Sequence, residues 1–309
     1  TTSEEIGAKF KKGLDSTKDA EFFVVGDDCA PYLKRYMDAS GKKVTYLSEG
    51  FIRSVELEAK KTPPYSLLLD SRAPYYDARR PTDLEELLSS YDFEANPAVL
   101  EQADRLLEQV LQSGLSKYNH VARLPDVQDV YGVKDRPRVL VLGQVEGADS
   151  VKLANPRGYS NNDVVTIAAM ENPGAQIIFK PHPDVLNKHK TTASDPLKVK
   201  HLCQVLEQDL PLAQALETVD HVYSITSLGC FEALLRGIKT TTLGLPFYAG
   251  WGLGDDRQTL ERRQRKLSVR EVFAAAYVLY PTYVDAMYKM PVSAEQAIER
   301  LNENVSLAS

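Results

Sequence analysis

The sequence predicts an α/β protein made of two halves, each built on a parallel sheet with flanking helices. Three observations carry this. Short β-branched and aliphatic runs alternate with stretches of helical spacing along most of the chain. The alternation fades between residues 115 and 137, where Asp126, Asp129, Gly132, Asp135 and Pro137 suggest a linking loop, and then restarts. The length, 309 residues, suits two such units. The expected division is 1–130 and 131–309, with terminal helices of the second half packing back on the first.

The first half opens with a polar stretch over 1–20, a helix or a frayed end. Residues 21–25 (EFFVV) form the first expected strand, and Gly26, Asp27 and Asp28 its turn. A helix follows over 31–39 and a second strand over 43–47. The third strand, 66–69, ends in Asp70. Thr82 and Glu85 have the spacing of a capping box, so a helix runs to about Ser90. Pro97 starts a longer helix, with Leu100, Ala103, Leu106, Leu107, Val110 and Leu111 on one face, and Gly114 ends it.

The second half restarts with a strand over 138–142, a helix over 161–171 and a strand over 176–180. A short helix over 210–217 leads into a strand over 221–225. A helix over 231–236 then ends at Gly237, and a strand covers 240–243. Ser268 with Glu271 and Ser293 with Gln296 open the last two helices. Between them, 257–270 is rich in arginine and lysine. It suits a solvated helix face or, as the second reading, a lipid-headgroup patch.

Composition excludes several classes. A net charge of −6 argues against a nucleic-acid binder. Cys29, Cys203 and Cys230 form no CxxC pair, which points to a reducing compartment without structural zinc. No apolar run reaches the ~18 residues of a membrane span. The expected location is the cytoplasm, with at most a peripheral membrane contact. No metal or cofactor is expected, because no paired aspartates follow a strand as a metal site would require. Asp27-Asp28 and Asp255-Asp256 suit turns.

Ligands of open parallel sheets lie at the strands' C-terminal ends, and the candidate residues cluster there. Thr226 and Ser227 follow a strand and precede a helix, whose N-terminal N–H groups suit phosphate. An ordinary helix cap is the equal alternative. Glu232, one turn on, suits ribose hydroxyls. Phe247, Tyr248 and Trp251, interleaved with Gly250, Gly252 and Gly254, are expected to shape a pocket. Lys180 and His182, in the rigid KPHP turn, suit an anionic group or leaving group. Glu49 and Arg53 follow the second strand and are either a site or a surface ion pair. Arg79 and Arg80 either meet an anion or lie solvated. Two such halves facing a cleft make the GT-B glycosyltransferase architecture, with donor in the second half and acceptor in the first.

The blocks GQVEGADS, KPHPDVL, TSLGCFEALLRG and GLPFYAGWGL, in this order, closely resemble the capsule polysaccharide β-Kdo transferases of the KpsC family. EGFIRS, TPPYSLLLD, YYDARRPTDLEELL and LSKYN extend the likeness over nearly the whole chain. Family members usually carry two transferase modules. This chain has the length of one, and its GQV and PTY blocks look more like the second. The resemblance implies a retaining transfer of Kdo from CMP-β-Kdo to a Kdo-terminated glycolipid, by double displacement through a carboxylate nucleophile. It implies donor binding by Gln144, Lys180, His182, Thr226, Ser227 and Glu232, a catalytic role for His182, an acid/base role for Glu49 and a carboxylate contact for Arg53. The family's nucleophilic aspartate falls at Ala148. Asp149 beside it points elsewhere. The chain is therefore expected to be an inactive form, natural or introduced. The alternatives are a non-catalytic nucleotide- or glycan-binding subunit and an inverting transferase of another CMP-activated acid sugar.

Overall fold

The computed structural model describes residues 21–27, 29–57, 62–187, 193–285 and 287–308. The stretch 1–20 and Asp28 lie outside the described residues. The strands, in chain order, are β1 (Phe22–Val25), β2 (Val44–Glu49), β3 (Ser66–Asp70), β4 (Arg138–Leu142), β5 (Gln176–Lys180) and β6 (Gln204–Val205). They continue with β7 (His221–Ser224), β8 (Lys239–Thr242), β9 (Asp255–Asp256), β10 (Pro281–Asp285) and β11 (Met290–Pro291).

The second sheet has the order β6-β5-β4-β7-β8-β9, and every pair in it is parallel. Val141 lies opposite Phe179 on one side and Tyr223 on the other. Both faces are buried, as a doubly covered parallel sheet requires. Leu140, Leu142, Ile178 and Val222 enter one core, whereas Val139, Val141, Ile177, Phe179 and Tyr223 enter another. Asp255-Asp256, expected as a turn, is instead the edge strand of this sheet. The Thr241 and Thr242 hydroxyls donate to their carboxylates.

The first sheet, β1-β2-β3-β10-β11, departs from the all-parallel expectation. Only β1 and β2 run parallel. β3 returns antiparallel to β2, and β10 is antiparallel to β3. A parallel return needs a crossover, usually a helix. The link after β2 shows no helix among its described residues; it begins with the Gly50 N–H donating to Ser66 O at 2.8 Å and buries Phe51, Ile52 and Arg53. A Cβ on Gly50 would collide with the Ser66 side chain, so glycine makes this close approach possible. Through β10 and β11 the chain leaves the second sheet and completes the first.

Apart from Arg270, which sits on a helix, and the exposed Lys266, the basic stretch 257–270 is neither a helix face nor an exposed patch. It is a strap between the halves. Arg257 binds Glu171 and Asp255, Arg262 and Arg263 both bind Glu85, Arg265 donates to Tyr91 O and Arg270 binds Asp104. Thr82 caps its helix, Asp83–Ser90, as expected, but Glu85 completes no capping box because its carboxylate serves the strap. Ser268 and Ser293 make reciprocal capping pairs. The helix Val269–Phe273 continues as a π-helical turn over Ala274–Leu279 and packs on the Pro97–Ser113 helix. One apolar core joins Phe51 and Leu106 of the first half to Phe231, Phe247 and Trp251 of the second. No helix among the described residues is long and apolar enough to cross a membrane.

Candidate functional site

A cavity of about 630 Å³ lies between the two halves. Its wall in the second half is made by the loops that follow β4, β5, β6 and β7, all at strand C-terminal ends. Its other wall is 113–123 together with Val55, Glu56 and Tyr75. Residues 115–123 of this wall fall in the stretch expected to be a linking loop. Asn119 fastens it, donating its backbone N–H to Val55 O at 2.8 Å and its side-chain amide to Ser54 O at 3.0 Å.

Seven expected residues meet at this cavity: Gln144, Ala148, Lys180, His182, Thr226, Ser227 and Glu232. Their roles differ. Gln144 ties the ends of β4 and β7 together. Its Oε1 accepts the Thr226 N–H at 2.8 Å and its Nε2 donates to the Thr226 hydroxyl at 3.1 Å. That hydroxyl in turn donates to Ser150 O, so the Thr226 side chain shapes the turn. Ser227 caps the helix Leu228–Leu235 through the Gly229 N–H. A Cβ at Gly229 would lie 2.5 Å from Leu142 Cδ1. Only glycine lets this helix start press against the end of β4.

Lys180 is buried, and its ammonium donates to Asp209 Oδ1 at 2.6 Å. The second Asp209 oxygen faces His120 Nε2 at 3.1 Å. Burial works to raise the Asp209 carboxyl, but hydrogen bonds and charge from His120 and Lys180 outweigh it and hold it below its ordinary value. His182 caps the short helix Pro183–Leu186, and its Nδ1 accepts the Asp184 N–H at 3.1 Å. That fixes the neutral ring as the Nε2–H tautomer, a donor.

Glu232 is 3% exposed. Burial drives its carboxyl up to about 7, against the opposing pull of Arg236 and of the Lys117 backbone N–H. The folded protein thus binds this proton more tightly than the unfolded chain, whose glutamates titrate near ~4.3. The resulting stabilisation is complete below the unfolded value and is lost as pH rises through 7. Glu232→Gln mimics the protonated form. It is expected to stabilise the ligand-free protein by about 2 kcal/mol at pH 8 and by little at pH 4. Thermal denaturation at the two pH values checks this; equal shifts at both would mean that the carboxyl titrates normally.

Ala148 lies in a loop held from three sides. Glu146 accepts from the Ser194 N–H and hydroxyl and from the Asn161 N–H, and Asn161 brackets the backbone of Gln144. Asp149, next in sequence, is exposed and does not line the cavity.

The remaining expected site residues are not on this wall. Glu49 and Arg53 spend themselves on each other in a two-pronged ion pair, Arg53 Nη2 donating to Glu49 Oε1 at 2.7 Å. Arg53 also donates to the Ser54 hydroxyl and is itself buried. Phe247, Tyr248 and Trp251 are core, not pocket. Phe247 stacks on Phe51 with centroids 5.0 Å apart, and Trp251 Nε1 donates to Phe247 O. Gly250 takes φ +90° so that the loop can turn over Arg263. Arg79 and Arg80 are matched by Asp27 and Asp77 in a closed cluster. Sequence reasoning missed His120 and Asp209. The block LSKYN, immediately before His120, was the available signal.

Two α/β units with a cavity between them, one wall of it made by strand ends, define a glycosyltransferase fold of the GT-B class. The chain belongs to the capsule polysaccharide biosynthesis protein family, whose model matches residues 24–286. It is similar to the structure of Thermosulfurimonas dismutans KpsC, beta Kdo 2,4 transferase, at 32% identity and TM-score 0.79, covering 91% of this chain and 86% of that one. The beta Kdo 2,7 transferase structure of the same protein matches at 30% identity and TM-score 0.72, covering 100% of this chain and 91% of that one. Among curated proteins, the lipopolysaccharide-processing protein LpsZ of Rhizobium meliloti is 44% identical over 87% of this chain. The capsule polysaccharide modification protein LipA of Neisseria meningitidis serogroup A is 33% identical over 82% of it. The chain spans 60% of the length of LpsZ and 35% of LipA.

Proposed function

We propose that this chain is a β-Kdo transferase module of capsule or lipopolysaccharide assembly that binds CMP-Kdo in the cavity between its halves. The observation that carries the reading is the set of donors and acceptors at the ends of β4, β5 and β7. A helix start capped by Ser227 and the Nε2–H of His182 suit a phosphate. Glu232 suits a ribose diol, and Lys180, ion-paired with Asp209, lines the same wall. Similarity to two Kdo transferase structures above 30% identity supports the sugar. The acceptor is a Kdo-terminated glycolipid.

The transfer is retaining. A carboxylate at position 148 attacks the anomeric carbon as CMP departs, and the acceptor hydroxyl then displaces that carboxylate. With Ala148 in place the first bond cannot form, so the chain binds donor and turns it over slowly or not at all. The pairing of Glu49 with Arg53 leaves the acid/base role to a cavity group or to a rearrangement of that pair. Titration calorimetry with CMP tests the donor site. Micromolar binding is expected, weakened about tenfold or more by His182→Ala. Absence of CMP binding would sink the reading.

Ala148 also favours a second reading, a module that binds nucleotide or glycan as part of a longer protein and transfers nothing. CMP binding without any transfer by an Ala148→Asp variant is its signature. An inverting reaction is distinguished by proton NMR of the product's anomeric centre.

A further inference from the structure

The Lys180–Asp209–His120 chain does more than hold a lysine. Asp209 Oδ1 accepts from Lys180 Nζ at 2.6 Å and from the Leu210 N–H at 2.9 Å. Its Oδ2 is 3.1 Å from His120 Nε2. An ionised carboxylate can only accept, so the proton of that pair sits on His120 Nε2. With the ring neutral, Nδ1 is then an acceptor, whereas a doubly protonated ring would be a donor there; turning the neutral ring over would break the bond to Asp209. Nδ1 is buried and has no hydrogen-bond partner among the described residues, although His120 lines the cavity. A buried acceptor without a partner is costly, so a ligand donor at this point has a strong preference to satisfy it.

The surroundings say what kind of donor. Next to Asp209, Leu210, Pro211 and Leu212 line the cavity, and Val121 and Ala122 do so next to His120. Such an apolar wall suits the flat face of a base rather than a sugar or a phosphate. Glu232 Oε2, with Arg236 Nη1 3.9 Å away, also has no hydrogen-bond partner among the described residues and matches a ribose diol.

We propose that His120 is a specificity-determining residue: its Nδ1 accepts a hydrogen bond from an exocyclic amine of the nucleoside base, and Asp209 positions the ring for it. The cavity then favours an amino-pyrimidine over a 4-oxo-pyrimidine, whose oxygen would oppose the lone pair of Nδ1. The inference rests on the reading of the cavity as a nucleotide site.

Calorimetry of the full chain with CMP and with UMP tests it. CMP is expected to bind at least ~10-fold more tightly than UMP. His120→Leu is expected to weaken CMP ~10-fold or more and to leave UMP within ~3-fold, so that the preference collapses. His120→Asn, which keeps a side-chain acceptor near the Nδ1 position, retains most of it. A purely structural role for His120 would weaken both nucleotides alike. On the unmodified protein, the nitrogen-15 resonance of His120 Nδ1 is expected to move with CMP and not with UMP, a readout that needs no variant to fold. An unchanged CMP-to-UMP ratio in His120→Leu, or a His120 resonance that CMP leaves in place, overturns the proposal. Failure of the unmodified chain to bind CMP overturns the nucleotide-site reading itself.

Discussion

Ala148→Asp is expected to raise Kdo transfer from CMP-Kdo to a Kdo-terminated acceptor by ~10³-fold or more, on the scale by which losing a covalent nucleophile cripples an enzyme. Ala148 lines the cavity, and its loop is pinned through Glu146, Asn161 and Gln144, so a carboxylate placed there has a fixed origin. Position 148 is also the N-cap of the short helix Asp149–Lys152, with extended backbone at φ −73° and ψ 146°, and it has no side-chain cap now. An aspartate there has a competing use, since it can accept the free N–H groups of that helix and stabilise the fold by about 1 kcal/mol. The two uses separate cleanly. A higher melting temperature without transfer means that the new carboxylate caps the helix. Transfer with capture of a glycosyl-enzyme adduct, read by intact-protein mass spectrometry, means that it reaches the anomeric carbon. No transfer above the unmodified chain counts against position 148 as the nucleophile site.

Glu85→Ala is expected to cost about 3–5 kcal/mol of stability, because it strands a buried cation. Glu85 Oε2 accepts from Arg263 Nε at 2.8 Å, and both side chains are almost fully buried. Arg263 Nη1 reaches Pro246 O and Ala249 O, so the guanidinium also holds the aromatic loop in place. Burial pulls the Arg263 pKa down, with Glu85 opposing. Removing Glu85 leaves the desolvation and takes away its compensation. Glu86, one residue on, makes an exposed pair with Arg72, and Glu86→Ala is expected to cost about 0–1 kcal/mol. Urea denaturation of the two variants decides the point. Equal midpoints would mean that the strap between the halves carries no net stability.

Much of the architecture was legible because it is local. Strands β4 and β5 and the helix Asn161–Glu171 fall where apolar runs and helical spacing put them, as does the helix from Pro97 to Ser113 with Gly114 in the left-handed region beyond it. The motif blocks carried the family and, with it, Gln144 and Ala148, while the strand-end rule carried Lys180, His182, Thr226, Ser227 and Glu232 to the same cavity. What was not legible depends on partners far along the chain. Glu85 has the spacing of a capping residue, but two arginines some 180 positions on outbid the helix for its carboxylate. Aromatic residues between glycines look alike whether they wall a pocket or fill a core. For Phe247 and Trp251 the choice was made by Phe51 and Arg263, which the fold brings against them.

The sequence by itself determined most of the longer elements, their order and the chemistry available at the strand ends, because helical period, strand alternation and capping act over a few residues. Only the tertiary structure decided which charged groups remain available to a ligand. Glu49 and Arg53 neutralise each other away from the cavity, while Lys180, Asp209 and His120, drawn from three separate segments, meet on its wall. Ionic pairing and desolvation depend on distance in space, and the folding of one half against the other sets those distances.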